Sequence, residues 1–171
     1  MFRLKEVMGE AHVARALREL VTHHGYPRQK PTPSDLVEAL KRGADATQAR
    51  LIDALFKKVI VFDNDIKILS NKSLPNNQQL LTLEINIRKT DETSGKPVSM
   101  QPDDDIEIAV FAGAIATENV PSKPVYLQTH HFSKSRSVIG ITVPRGPATV
   151  ILDQLSYMLD VSDHNNAVVF K

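Results

Sequence analysis

The stretch "LLTLEINIR", residues 80–88, decides the fold class. Leu81, Leu83, Ile85 and Ile87 alternate with Thr82, Glu84, Asn86 and Arg88. A period of two is that of a strand with one buried and one solvated face. The alternation predicts that the four aliphatic side chains point into a core shared with Ile106, Ile108 and Val110, while Glu84 and Arg88 face water. A one-residue slip of register would bury both charges together.

The same rhythm extends to either side. Downstream, "DIEIAVFAG" (105–113) alternates again, and further strands are expected at about 124–132 ("PVYLQTHHF"), 136–143 ("RSVIGITV"), 148–152 and 167–171 ("AVVFK"). Residues 90–104, rich in Thr, Ser, Gly, Pro and Asp, read as a loop. Upstream, "KKVIVF" (57–62) leads into "DND" (63–65), read as a turn, and then "IKIL" (66–69). Short strands separated by turn signals favour an antiparallel sandwich over βαβ units.

Before residue 58 the period changes to 3.6. Val13, Leu17, Leu20 and Val21 form one apolar stripe of a helix over about 10–24, broken from an opening helix at Gly9-Glu10 and ended by Gly25. "YPRQKPTP" (26–33) is a stiff polar connection. Thr32, Pro33 and Asp35 then read as N-cap, N1 and N3 of a helix that buries Leu36, Val37 and Leu40 and ends at Gly43. Asp45, with Gln48 three residues on, caps another helix expected to bury Leu51, Ile52, Leu55 and Phe56. The fold class is therefore α+β: N-terminal helices over 1–58, then an antiparallel, Ig-like β-sandwich over 59–171. Leu4, Val7 and Met8 form an apolar cluster with no cap ahead of it. Such a start reads as the tail of a larger protein whose remainder would cover these side chains.

Composition narrows the function classes. The 171 residues carry 42% hydrophobic and 24% charged side chains, ordinary for a globular protein, with no Trp and no Cys. Missing Cys excludes disulfides and thiolate metal sites. Residues 1–58 hold 11 Lys+Arg against 7 Asp+Glu, and residues 59–171 hold 10 against 13. Neither half is basic enough to suggest nucleic acid. No apolar run reaches the roughly 20 residues of a membrane span, so a soluble segment without membrane contact is expected.

Few residues suggest chemistry. A zinc-protease helix needs H-E-x-x-H, two His one turn apart with a Glu base between them. His12 stands alone, His23-His24 are adjacent on a helix, and His130-His131 lie in a strand with side chains on opposite faces. None of these pairs suits one tetrahedral ion. Asp103-Asp104-Asp105 lacks the spacing and the Gly of an EF-hand and reads as a solvated turn. Asp160, Asp163 and His164 form a looser cluster, better suited to capping and turn hydrogen bonds than to acid–base work. Asn71-Lys72-Ser73 is a formal glycosylation sequon of a kind that short strings produce by chance. No residue is assigned a catalytic, cofactor-binding or metal-binding role.

Several segments resemble the region downstream of the zinc site in gluzincin aminopeptidases, in the branch fused to an ABC-type permease. Gly9-Glu10, Ala16-Leu17-Arg18, Pro33-Ser34-Asp35-Leu36 and Leu55-Phe56 match its helical motifs. "DDDIEIAVFAG" and "PVYLQTHHF" are similar to two of its sandwich strands, and "LDQLSYMLDVSDHNNAVVF" (152–170) to its closing segment. Two departures fall in that segment. Asp153-Gln154-Leu155-Ser156 stands where the family has Asp-Pro-Tyr-Asn, and Val161 follows Asp160 where the family has Arg. The resemblance implies a non-catalytic C-terminal part of a membrane-linked zinc aminopeptidase of a bacterium. The zinc and the catalytic residues of that parent have no counterpart in this chain, so no cofactor and no enzymatic activity are expected of it. Its partner would be the rest of the peptidase domain, with a homodimer through residues 1–24 as a further expectation. The alternative is a freestanding sandwich that binds protein or glycan, with the helices as a dimerisation arm.

Overall fold

The computed structural model describes residues 2–24, 30–112, 123–144, 146–147 and 149–170. The side chains of Phe2 and Asp163, the Gly25 cap and residues 26–29 of the polar connection lie outside the described residues. The chain divides into two compact units: Met1–Ile60 with Glu92–Lys96, and Val61–Asp91 with Pro97–Lys171.

The first unit is a ring of four short helices, α1 (Phe2–Met8), α2 (Glu10–His24), α3 (Pro33–Lys41) and α4 (Ala46–Lys57), in which each helix packs on the next and α4 returns to α1. Local chemistry sets the boundaries. Gly9, at φ +83°, turns the chain between α1 and α2. Thr32 and Asp35 exchange side-chain and backbone hydrogen bonds in a capping box at α3, and Asp45 and Gln48 do the same at α4. The C-terminus of α3 is held by α2. The His12 ring Nε2 donates to the Leu40 carbonyl at 2.9 Å, while Arg15 donates to the Arg42 carbonyl and to His12 Nδ1, both at 3.2 Å. These donors take up carbonyls that a helix end leaves unpaired. His12 therefore has a structural role.

The core of this unit corrects two expectations. Leu4 is 0% exposed and packs with Val13, Ala16, Val37, Ala39, Leu40 and Ile52, with Met8 half-buried against them. The opening helix thus has a core of its own, and Leu4 and Met8 are not an orphaned surface. Conversely, Leu17 and Val21 on α2 and Leu55 and Phe56 on α4 are exposed, Val21 at 69%. The buried stripe of α2 runs through Val13 and Ala16, because small Ala16 allows the close approach of a neighbouring helix that the larger side chains prevent.

The second unit is two four-stranded antiparallel sheets in a sandwich-like arrangement. In the first sheet β1 (Ile60–Leu74) pairs with β2 (Gln78–Asp91), whose other side pairs with β3 (Val98–Met100) and β6 (Arg136–Pro144). The second sheet runs β5 (Tyr126–Phe132), β4 (Asp104–Phe111), β7 (Thr149–Leu152), β8 (Ala167–Val169). Leu81, Leu83, Ile85 and Ile87 are fully buried, as are Ile108 and Val110, with Ile106 nearly so. Among the described residues no helix is long and apolar enough to cross a membrane.

Three strand expectations are corrected. Residues 63–65 form no turn, because β1 runs unbroken through them. The turn lies at Asn76 and Asn77, both at positive φ, a conformation that suits a tight hairpin and that Asn tolerates. The segment 90–104 is not all loop, since β2 extends to Asp91 and β3 pairs with its end. Glu84 does not face open water: it is 9% exposed, and Arg136 on β6 covers it with hydrogen bonds from Nε at 3.0 Å and from Nη2. The Arg136 hydrogen bonds hold the Glu84 carboxyl below the usual carboxylate range.

Candidate functional site: a clamped loop

The segment 153–166 leaves β7 and returns to β8 with its ends tied, since the Leu152 N–H donates to the Asn166 carbonyl at 2.8 Å. A compact surface loop with adjacent ends is an Ω-loop, a frequent carrier of function. Two carboxylates organise it. Asp153, at φ +48°, turns the chain out of β7 and accepts from the N–H groups of Tyr157 (3.0 Å) and Met158 (2.8 Å), while Ser156, at φ +51°, donates its N–H to the Asp153 carbonyl. Two non-glycine residues at positive φ persist only where the surroundings over-determine the backbone. These hydrogen bonds supply that constraint.

Asp160 fixes the second half to β1. Phe62 donates to the Leu159 carbonyl (2.8 Å) and accepts from the Val161 N–H (2.9 Å), forming a parallel bridge around Asp160. The Asp160 carboxylate then accepts from the Ser162 N–H (3.0 Å), the Asn64 N–H (3.1 Å) and the Asn166 side-chain amide (3.1 Å). A short 3-10 helix, Asp163–Asn165, follows, and Asn165 donates to Asp63 at 3.2 Å. Asn64 is fully buried, with its side-chain NH2 directed at the Met158 sulfur. The clamped backbone holds Leu155, Leu159 and Val161 out into solvent, Val161 at 70% exposure. Apolar side chains on a pinned loop are suited to docking another protein surface, since little ordering entropy remains to be lost.

On the side of β1 away from the core, Arg88 is ion-paired with Asp63, and Arg136 with Glu84. Asp63, Asp65, Asn86, Arg88, Ser135 and Arg136 line a polar cleft of about 370 Å³. Both guanidiniums already face carboxylates, so the cleft offers no unmatched charge to an anionic ligand.

The other residues singled out in the sequence fall elsewhere. His130 and His131 do project to opposite faces of β5. His130 lies against Tyr126, 2.8 Å from ring Nε2 to the hydroxyl, and Tyr126 in turn donates to Gln128 at 3.1 Å. Burial holds the His130 pKa below its ordinary value and raises that of Tyr126. His131 places one ring nitrogen 3.0 Å from Asp105 and the other 3.2 Å from Asp103. Asp104 points away from both, to the Lys89 ammonium at 2.7 Å, and that ammonium also sits 5.4 Å from the centre of the Phe62 ring. His23 is exposed, and His24 lies 4.0 Å from Asp35. Asn71 and Lys72 are exposed near the end of β1. Of Asp160, Asp163 and His164, Asp160 organises the loop; His164 is exposed, and the Asp163 side chain lies outside the described residues. Among the described residues no group of three His, Cys, Asp or Glu is placed to hold a metal ion. Sequence reading missed Asn64 and Asp153, the first because Asn between two Asp signals a turn, the second because its hydrogen bonds are visible only once the turn is formed. No family model matches this chain, and no curated protein matches it.

Proposed function

We propose that the chain is a non-catalytic accessory part of a membrane-linked zinc aminopeptidase, docking on the catalytic helices of that protein. The observation that carries this reading is the apolar surface left open on pinned elements: Leu17 and Val21 on α2, Leu55 and Phe56 on α4, and Leu155, Leu159 and Val161 on the clamped loop. Each such side chain is worth about 1.5–3 kcal/mol when fully buried, so a partner that covers them gains affinity. The order of the chain, helices and then antiparallel sheets, agrees with the resemblance. So does the position of Asp160, which stands where the family has Asp and here secures the closing segment. Burial of Leu4 removes one argument for a missing partner at residues 4–8, and the reading rests on the other surfaces. A freestanding interaction module is the second reading, favoured by sheet edges of the second unit that no strand pairs with among the described residues.

The coding sequence upstream of Met1 separates the two. An in-frame H-E-x-x-H helix and permease segments support the accessory role, whereas a ribosome-binding site preceded by an in-frame stop overturns it. The chain purified without chelator is expected to carry less than one zinc and to turn over no aminoacyl-anilide, because catalytic zinc needs three protein ligands and an open position. Turnover removed by a chelator overturns this expectation.

A further inference from the structure

β1 and β8 are each the last strand of their sheet, and they face one another across a groove of about 530 Å³ lined by Lys67, Ile68, Leu69, Val168, Val169 and Phe170. On the free edge of β1 the N–H and C=O of Phe62 and the N–H of Asn64 are taken up by the clamped loop. Ile66 and Ile68 follow them in the period-two alternation that brings successive backbone N–H and C=O groups to the same edge. Beyond Asn64, among the described residues, no strand pairs with this edge, and none pairs with the outer edge of β8. Leu69 and Val169 are both about half exposed at the groove. An open edge beside exposed apolar side chains is a template for an added strand.

We infer that this groove binds an extended peptide strand from another protein, apolar in its middle and acidic at its ends. Charge selects that occupant. Lys67 and Lys72 flank the exposed stretch of β1, Lys72 is exposed, and Lys67 is 60% exposed beside Asp65 at 3.4 Å. Carboxylates at the ends of an incoming strand meet the same two ammoniums favourably. An added strand of about four to six residues pairs along β1, and its alternate side chains reach Leu69, Val169 and Phe170. This inference holds under either functional reading.

The test uses the full chain and fluorescent peptides of alternating Val and Thr, flanked either by Asp and Glu or by Lys. Fluorescence polarisation is expected to show the acidic peptide binding about tenfold more tightly than the lysine peptide. Lys67→Glu with Lys72→Glu should reverse that order, and N-methylation of alternate peptide amides should abolish binding. Val169→Asp, at an exposed position, should weaken binding while leaving the circular dichroism spectrum unchanged. Equal binding of the two peptides, no binding of either, or indifference to N-methylation overturns the inference. Concentration-dependent dimerisation lost on Leu69→Asp also overturns it, because a second copy would then occupy the groove.

Discussion

The two units treat their apolar residues differently. In the sheet unit the aliphatic side chains of β2 that alternation marks as inward are all fully buried. In the helical unit most of those marked by helical period are not: Val13, Val37, Leu40 and Ile52 are buried, Leu20, Leu36 and Leu51 are half-buried, and Leu17, Val21, Leu55 and Phe56 are exposed. A strand has two faces, so register decides burial for a whole row at once. A helix offers a continuous range of directions, and a ring of helices 7 to 15 residues long covers only a narrow sector of each. Small assemblies bury a smaller fraction of their surface, so the helical unit leaves apolar side chains open on its helix faces, whereas those the sheet unit exposes, among them Leu127, Val138 and Val161, lie on outward strand positions and on the clamped loop.

The largest expected effect tests this contrast in the cores. Leu83→Ala should cost about 2–5 kcal/mol, because a side chain in a two-sheet interior leaves a cavity that cannot collapse. Leu40→Ala, equally buried in the helical unit, should fall at the lower end of that range, since short helices shift to close the gap. Urea unfolding of each variant measures both. Equal losses at the two positions would mean that the helical core is packed as rigidly as the sheets.

Next in size is the clamped loop. Asp160→Ala removes the acceptor of two backbone N–H groups and the Asn166 amide, and should cost roughly 1–3 kcal/mol. Amide exchange is expected to quicken at Asn64 and Ser162 while Leu83 and Ile85 stay protected. Unchanged exchange at Ser162 would show the loop to be held by the Phe62 bridge alone.

What can be read from the sequence follows the range of the interaction. The caps at Thr32 and Asp45 lie within three residues of their partners and are legible, as are the alternations of β2 and β4. The misreadings share a cause. Asn64 inside a strand is explained by Asp160, 96 positions away, and buried Glu84 by Arg136, 52 positions away. Turn propensity and polarity describe a residue alone, and here a distant partner overrides them. Leu4 is misread for the same reason, since its neighbours Val37, Leu40 and Ile52 come from two later helices.

A smaller effect lies in the pH dependence of the sheet unit. Burial keeps the His130 pKa below 6.5 in the folded sheet unit. As pH falls below 6.5 the unfolded chain takes up that proton first, so stability declines from there down through the folded pKa. Glu84 acts lower: Arg136 holds its folded pKa below 4.5, so its contribution is present above 4.5 and is lost as pH falls through the folded value. Thermal melts across pH should show both declines. His130→Gln should flatten only the upper one and Glu84→Gln only the lower. A profile unchanged by His130→Gln would place the upper decline in another group.

The smallest expected effect on stability is also the most telling for function. Leu17 and Val21 lie one turn apart on α2 and are both exposed. Replacing them together, Leu17→Glu with Val21→Glu, should change stability by no more than about 0.5 kcal/mol, as is usual for surface positions away from any cap or core. Two added carboxylates on that face would nevertheless block burial against another apolar surface, because each would be desolvated without a partner. The variant should therefore unfold like the wild-type chain yet lose association, whether with catalytic helices or between two copies through residues 1–24. Sedimentation of the wild-type chain over a concentration series identifies the second case, since a self-complementary contact strengthens with concentration. If the double substitution instead costs several kcal/mol, these side chains belong to the helical core. The difference between the two units would then reduce to the exposed end of α4.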